Sequence, residues 1–90
     1  MARFDFSAHD VVDVAAQGGG GADALFQLGL MYCAGRDVEI DLVQAHKWFN
    51  LAALRGNDEA KAYRVELSRE MTKKQIAAAQ KSAREWLRYN

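Results

Sequence analysis

The sequence predicts an all-α protein of about five short helices. Half of its 90 residues are apolar, it contains no proline, and helix-forming residues dominate its composition. Between Ala24 and Ala60, two apolar patterns with helical spacing are separated by a short polar turn. Ninety residues make one small domain with a core that barely suffices on its own, so we expect a single domain over residues 1–90.

The two apolar patterns predict a helical hairpin over residues 22–56. Each pattern ends on a glycine, Gly35 or Gly56, where a left-handed residue commonly terminates a helix. Asp41 is the expected N-cap of the second helix. Small residues are placed where two helix backbones can approach closely, and large ones can fill the remaining space. The small residues are Ala24, Gly29, Ala45, Ala52 and Ala53, and the large ones are Leu28, Tyr32, Trp48 and Phe49.

The order of these residues resembles one full unit of the Sel-one-like repeat (SLR) family, which is related to the tetratricopeptide repeats. The positions that carry the resemblance are Ala24, Leu28, Gly29, Tyr32, Gly35, Val38, Asp41, Ala45, Trp48, Ala52, Ala53, Gly56 and Ala60. The first and last are 36 residues apart, close to the roughly 34-residue period of tetratricopeptide units. One departure is Asp37, where the family usually has glycine. The resemblance implies a short α-solenoid of antiparallel helical hairpins that serves as a protein-binding adaptor.

The N-terminal segment predicts a partial repeat. Ser7 with Asp10 forms a weak capping box that opens a short helix over residues 7–17, and V-D-V-A-A-Q-G resembles the end of a repeat's second helix. The β-branched residues Val11, Val12 and Val14 leave a strand as the alternative. The glycines at 18–21 predict a flexible joint, because a phosphate-binding loop would need a motif context that is missing here.

Residues 57–90 predict a degenerate capping repeat followed by a last helix. Asn57 or Asp58 can cap a helix that runs to about Arg69, but Arg64 and Val65 stand where the first unit has leucine and glycine. Thr72 and Gln75 then form a capping box for a helix from Lys73 to about Arg88. Its apolar face is expected to contain Ile76, Ala79, Ala83, Trp86 and Leu87, and its basic residues are Lys73, Lys74, Lys81, Arg84 and Arg88.

That basic amphipathic helix suits three roles: lying on an anionic membrane, contacting nucleic acid phosphates, or closing the solenoid with its polar side in water. We expect the third role, because a helix that covers the hairpin needs such an apolar stripe and because Glu70 and Glu85 dilute the basic charge.

The first hairpin helix carries two stripes of residues. Leu25, Leu28, Gly29 and Tyr32 are expected to face the second helix. The other stripe contains Asp23, Phe26, Leu30 and Cys33, and in tetratricopeptide-like units this second face lines the concave groove. These four residues are the predicted protein-binding site. Either the protein's own later helices cover this face, or it binds an apolar partner segment, or it joins two copies in a homodimer.

The zero net charge conceals an asymmetry. Residues 1–41 contain seven acids and two bases, whereas residues 42–90 contain ten bases and five acids. Such a division can orient a charged partner or favour head-to-tail association between copies. The alternative is that the two halves neutralise each other within one fold.

Other function classes find little support. Cys33 is the single cysteine, no serine lies in a nucleophile motif, and His9 and His46 lack companions at metal-ligand spacing. We therefore expect no catalytic residues, no metal and no cofactor, and no nucleic acid partner. No stretch is apolar enough to span a membrane, and the first residues lack the apolar core of a signal peptide, so a cytoplasmic location is expected. The expected partner is a protein or peptide.

Overall fold

The computed structural model describes residues 21–89, which form four α-helices and no strands. These are α1 (Ala22–Ala34), α2 (Leu42–Leu54), α3 (Asp58–Ser68) and α4 (Lys73–Tyr89). The prediction of an all-α class is confirmed for this part of the chain. The helix predicted over residues 7–17 lies outside the described residues. None of the four helices is long and apolar enough to cross a membrane.

The α1–α2 hairpin packs tightly because α1 has a glycine opposite a large ring. A Cβ atom added to Gly29 would lie 2.5 Å from Cδ1 of Phe49, so only glycine leaves room for this side chain. Phe49 is fully buried, as are Leu25 and Leu28 on the facing side of α1. The prediction that Gly29 marks a close approach is therefore confirmed.

The turn between α1 and α2 places Asp37 in a backbone conformation that favours glycine. Gly35 ends α1 in the left-handed region, with φ at 72° and its N–H donated to the carbonyl of Met31. Asp37 also has a positive φ, 64°. Glycine adopts this conformation at little cost and other residues do not, which gives a physical reason for glycine as the usual residue here. Asp41 then caps α2 by accepting a hydrogen bond from the backbone N–H of Gln44 at 3.1 Å.

Helix α2 is the centre of the described fold, since α1, α3 and α4 all pack against it. Side-chain hydrogen bonds join α2 to α3: Arg64 donates to Asn50 Oδ1 at 2.6 Å, and His46 Nε2 lies 3.0 Å from Ser68 Oγ. On α4, the Trp86 ring meets Trp48 edge to face, with centroids 5.8 Å apart. The core residues are Leu25, Phe26, Leu28, Met31, Ala45, Trp48, Phe49, Leu51, Ala52, Ala60, Leu67, Met71, Ala79, Ala83 and Trp86.

Helices α3 and α4 do not repeat the hairpin of α1 and α2. They make almost no contact with each other, and each packs on α2 instead. Helix α3 has few apolar residues to bury against a second helix, since only Ala60 and Leu67 are buried. The buried residues of α4 lie on the side that packs on α2. Both begin with the expected caps. Asn57 accepts from the N–H of Ala60 at 2.8 Å, and Thr72 and Gln75 exchange reciprocal hydrogen bonds at 2.9 and 3.1 Å.

Candidate protein-binding groove

The predicted site residue Phe26 belongs to the core. Only 9% of its surface is exposed, and its ring packs against two other aromatic rings. The centroid of Tyr63, on α3, is 5.4 Å away, and that of Phe49 is 5.8 Å away. At Phe26, therefore, a later helix of the protein itself covers this face of α1, because Tyr63 of α3 packs against the Phe26 ring.

The other three residues of the predicted site lie in different surroundings. Asp23, at the start of α1, is exposed and accepts a long hydrogen bond of 3.4 Å from the side chain of Asn57, so it links the starts of α1 and α3. Leu30 is partly buried and packs against the core. Cys33 is a free, partly exposed thiol in the last turn of α1. The structure thus does not gather the four side chains into one open surface.

Cys33 does line an open groove of about 220 Å³ beside α3. Its lining residues are Cys33, Phe49, Tyr63, Glu66, Leu67, Arg69 and Glu70. At about 30 Å³ for each water molecule, this volume corresponds to about seven waters, which is room for a large side chain from a partner. Because Phe49 and Leu67 are buried core residues, the floor of the groove is apolar and rigid.

The rim of the groove is charged and more acidic than basic. Glu66 and Arg69 form an ion pair at 2.9 Å, with both side chains 70% exposed, and Glu70 adds a second exposed carboxylate. The ion pair is weak because water screens it, so the carboxylates remain able to attract a cation. An apolar floor with an acidic rim suits an apolar side chain with a basic neighbour.

Most residues of this groove were not among the predicted site residues, although the sequence contained a signal for two of them. The repeat spacing is 36 residues, and the positions 36 residues after Leu30 and Cys33 are Glu66 and Arg69. Extending the predicted stripe by one repeat would therefore have found part of the rim. Tyr63 gave no such signal, because the residue 36 positions before it is the exposed Gln27.

Helix α4 leaves the groove uncovered. No residue of α4 lines it, and α4 packs on α2 instead. The basic residues of α4 are exposed, as expected for a helix with its polar side in water. Of the residues expected on the apolar face of α4, Leu87 is 44% exposed, whereas Ala79, Ala83 and Trp86 are buried.

The contact between α2 and α3 contains a buried histidine, His46, for which only metal binding was considered from the sequence. The Ser68 hydroxyl donates to the carbonyl of Arg64 at 2.8 Å, so its oxygen accepts the Nε2–H of His46. His46 is 2% exposed, and its Nδ1 is buried without a hydrogen-bond partner. Burial, and secondarily the positive charge of Arg64, lower the pKa of His46. This histidine is therefore held neutral in the fold.

Within residues 21–89, no three histidine, cysteine, aspartate or glutamate side chains are grouped so that they could hold a metal ion. In the same part of the chain, the groove combines a concave shape with a charged rim.

Comparison with known families agrees with the resemblance read from the sequence. The family model of the Sel1 repeat matches residues 22–57, which contain α1, α2 and the cap of α3, about 40% of the chain. The predicted resemblance is thereby confirmed. Among curated proteins, no sequence matches the chain significantly.

Proposed function

The chain carries a Sel1 repeat, and we propose that the groove beside this repeat binds a helix or peptide of a partner protein. Sel1 repeats are in general protein–protein interaction modules rather than enzymes. The observation that carries the proposal is the groove itself, which is lined by the exposed Tyr63 and the partly exposed Cys33 above buried core residues and has two exposed glutamates at its rim. A helix laid in such a groove inserts an apolar residue and places basic residues against the rim.

The proposed site overlaps the predicted one at Cys33 and is otherwise shifted onto α3. Phe26 supports it from below, because its ring contacts both Phe49 and Tyr63. Asp23 contributes through its link to Asn57, which helps to fix the start of α3 relative to α1. Leu30 packs against the core and supports α1. The rigid floor means that little ordering entropy is lost on the protein's side when a partner binds.

Selection of helix-forming peptides against the purified protein tests this proposal. Peptides that bind should combine a large apolar residue with lysine or arginine three or four positions away, since these spacings share one helix face. Their binding should shift the NMR signals of Cys33, Tyr63 and Leu67. The double substitution Glu66→Lys and Glu70→Lys should weaken binding about tenfold, because it replaces attraction at the rim by repulsion.

The matched control makes the same charge change elsewhere. Glu39→Lys with Glu59→Lys alters two other exposed glutamates, and it should leave peptide affinity unchanged. Peptides that bind both variants as tightly as the wild-type protein, or that shift signals only outside the groove, would rule out this site.

A second candidate, self-association through the same face, is favoured by one specific observation. The last turn of α4 exposes Leu87 and Tyr89 beside Arg84 and Arg88, which is the chemistry that the groove suits.

A further inference from the structure

The last turns of α4 present an apolar residue between two cations. Arg84, Leu87 and Arg88 are spaced i, i+3 and i+4, so they share one face of the helix, and all three are exposed. Tyr89 follows them and is 80% exposed. Tyrosine and arginine are among the residue types enriched at protein–protein interfaces.

The rim of the groove shows the opposite charges in a similar arrangement. Glu66 and Glu70 are four residues apart, and Leu67 lies between them on the groove floor. We propose that the groove of one copy binds the last turns of α4 from a second copy, with Leu87 or Tyr89 in the groove and Arg84 and Arg88 at the two glutamates. This inference rests on the proposed function, because it names the partner of the same groove.

The contact must form between copies. Trp86 holds the last turns of α4 against α2, where its ring meets Trp48 and lies 5.1 Å from the guanidinium carbon of Arg55. None of the groove residues comes from α4. A chain therefore cannot place its own Leu87 in its own groove without detaching α4 from α2, which would expose the buried Trp86.

Such a contact is heterologous, since it joins two different surfaces of the same protein. Heterologous contacts produce head-to-tail rings or open chains rather than a symmetric dimer. The net charge of zero adds no overall repulsion between copies. Because the ion pairs lie at exposed positions, the association should weaken several-fold between about 0.1 M and about 1 M salt, where the Debye length falls from about 10 Å to about 3 Å.

A charge exchange between two variants of the full chain tests the proposal. The first variant carries Glu66→Lys and Glu70→Lys, and the second carries Arg84→Glu and Arg88→Glu. In each variant alone, like charges would face each other across the contact. Each should therefore be monomeric by light scattering at concentrations where the wild-type protein associates. When the two are mixed, the basic rim of the first meets the acidic helix end of the second, and association should return to within severalfold of the wild-type level.

The control variant carries Lys73→Glu and Lys74→Glu, which makes the same charge change on the first turn of α4 and should associate as the wild-type protein does. Circular dichroism checks that every variant remains folded. A wild-type protein that stays monomeric, or a mixture that stays monomeric, overturns the inference. If the selected peptides still bind the groove of a monomeric protein, only this inference fails; if they do not, the proposed function fails as well.

Discussion

The substitution Gly29→Ala should destabilise the protein, although alanine is the better helix former. The added methyl group would lie 2.5 Å from Cδ1 and 2.6 Å from Cε1 of Phe49, well inside van der Waals contact. Phe49 is fully buried, so its ring cannot turn outward into solvent. The rings of Phe26 and Tyr63 lie 5.8 and 5.5 Å from it and limit its movement sideways.

The size of the effect follows from two opposing contributions. Replacing glycine by alanine inside a helix stabilises it by roughly 1 kcal/mol. Overpacking a dense core costs about 1–3 kcal/mol, and the confinement of Phe49 by two rings places this site near the upper limit. The net loss in the free energy of unfolding should therefore be about 1–2 kcal/mol. For a domain of this size, each kcal/mol lowers the Tm by about 4–8 °C.

Urea denaturation of the wild-type protein, Gly29→Ala, Phe49→Leu and the double variant measures this effect. If the contact with the ring is the cause, Gly29→Ala should cost about 1 kcal/mol less when residue 49 is already the smaller leucine. A Gly29→Ala protein as stable as the wild type would refute the packing argument. An equal cost in both backgrounds would show that Phe49 is not the residue responsible.

Three further effects can be measured by the same denaturation experiments. Asp37→Gly should raise the free energy of unfolding by about 0.5 kcal/mol and Asp37→Ala should lower it by about 1 kcal/mol, because φ at this residue is 64°; equal stability of the two variants would contradict this reasoning. The folded-state pKa of His46 is lowered by burial, so its contribution to stability is fully present above its unfolded pKa of 6.5. That contribution is lost as the pH falls below 6.5 toward the folded pKa, by up to about 1.4 kcal/mol per pH unit, and His46→Gln should remove this dependence; an unchanged pH profile in the variant would refute the assignment. Thr72→Ala should cost about 1 kcal/mol because the capping box at the start of α4 is lost, whereas Thr72→Ser should retain most of the stability, and two equally destabilised variants would argue against the cap.

The local features of the fold could be predicted because they depend on neighbouring residues. The caps at Asp41, Asn57 and Thr72 each require a side-chain oxygen three residues before the N–H that it accepts, and that spacing is visible in the sequence. Gly35 and Gly56 were predicted as left-handed residues, and both have positive φ. At Asp37 the sequence showed only a departure from the family, whereas the backbone angle supplies the reason.

The candidate site was harder to predict because it depends on where α3 lies. The sequence assigned one stripe of α1 to a groove, but periodicity within one helix does not reveal which neighbouring side chains will cover it. Tyr63 covers Phe26, so the groove lies beside Cys33 and α3 instead of over Phe26. The same limit applies to α4, which was expected to cover the hairpin, while the sequence did not show that it would pack on α2 in particular.

The packing of α3 and α4 on α2 has a consequence for binding. In a second full hairpin, the last helix would pack chiefly on α3, and that contact would set the position of its last turns. Here α4 packs on α2 through Trp86, so α3 is covered on its α2 side and α4 does not cover its groove side. The departure from the repeat pattern after Gly56 therefore both ends the repeat and leaves the acidic rim of Glu66 and Glu70 accessible to a partner.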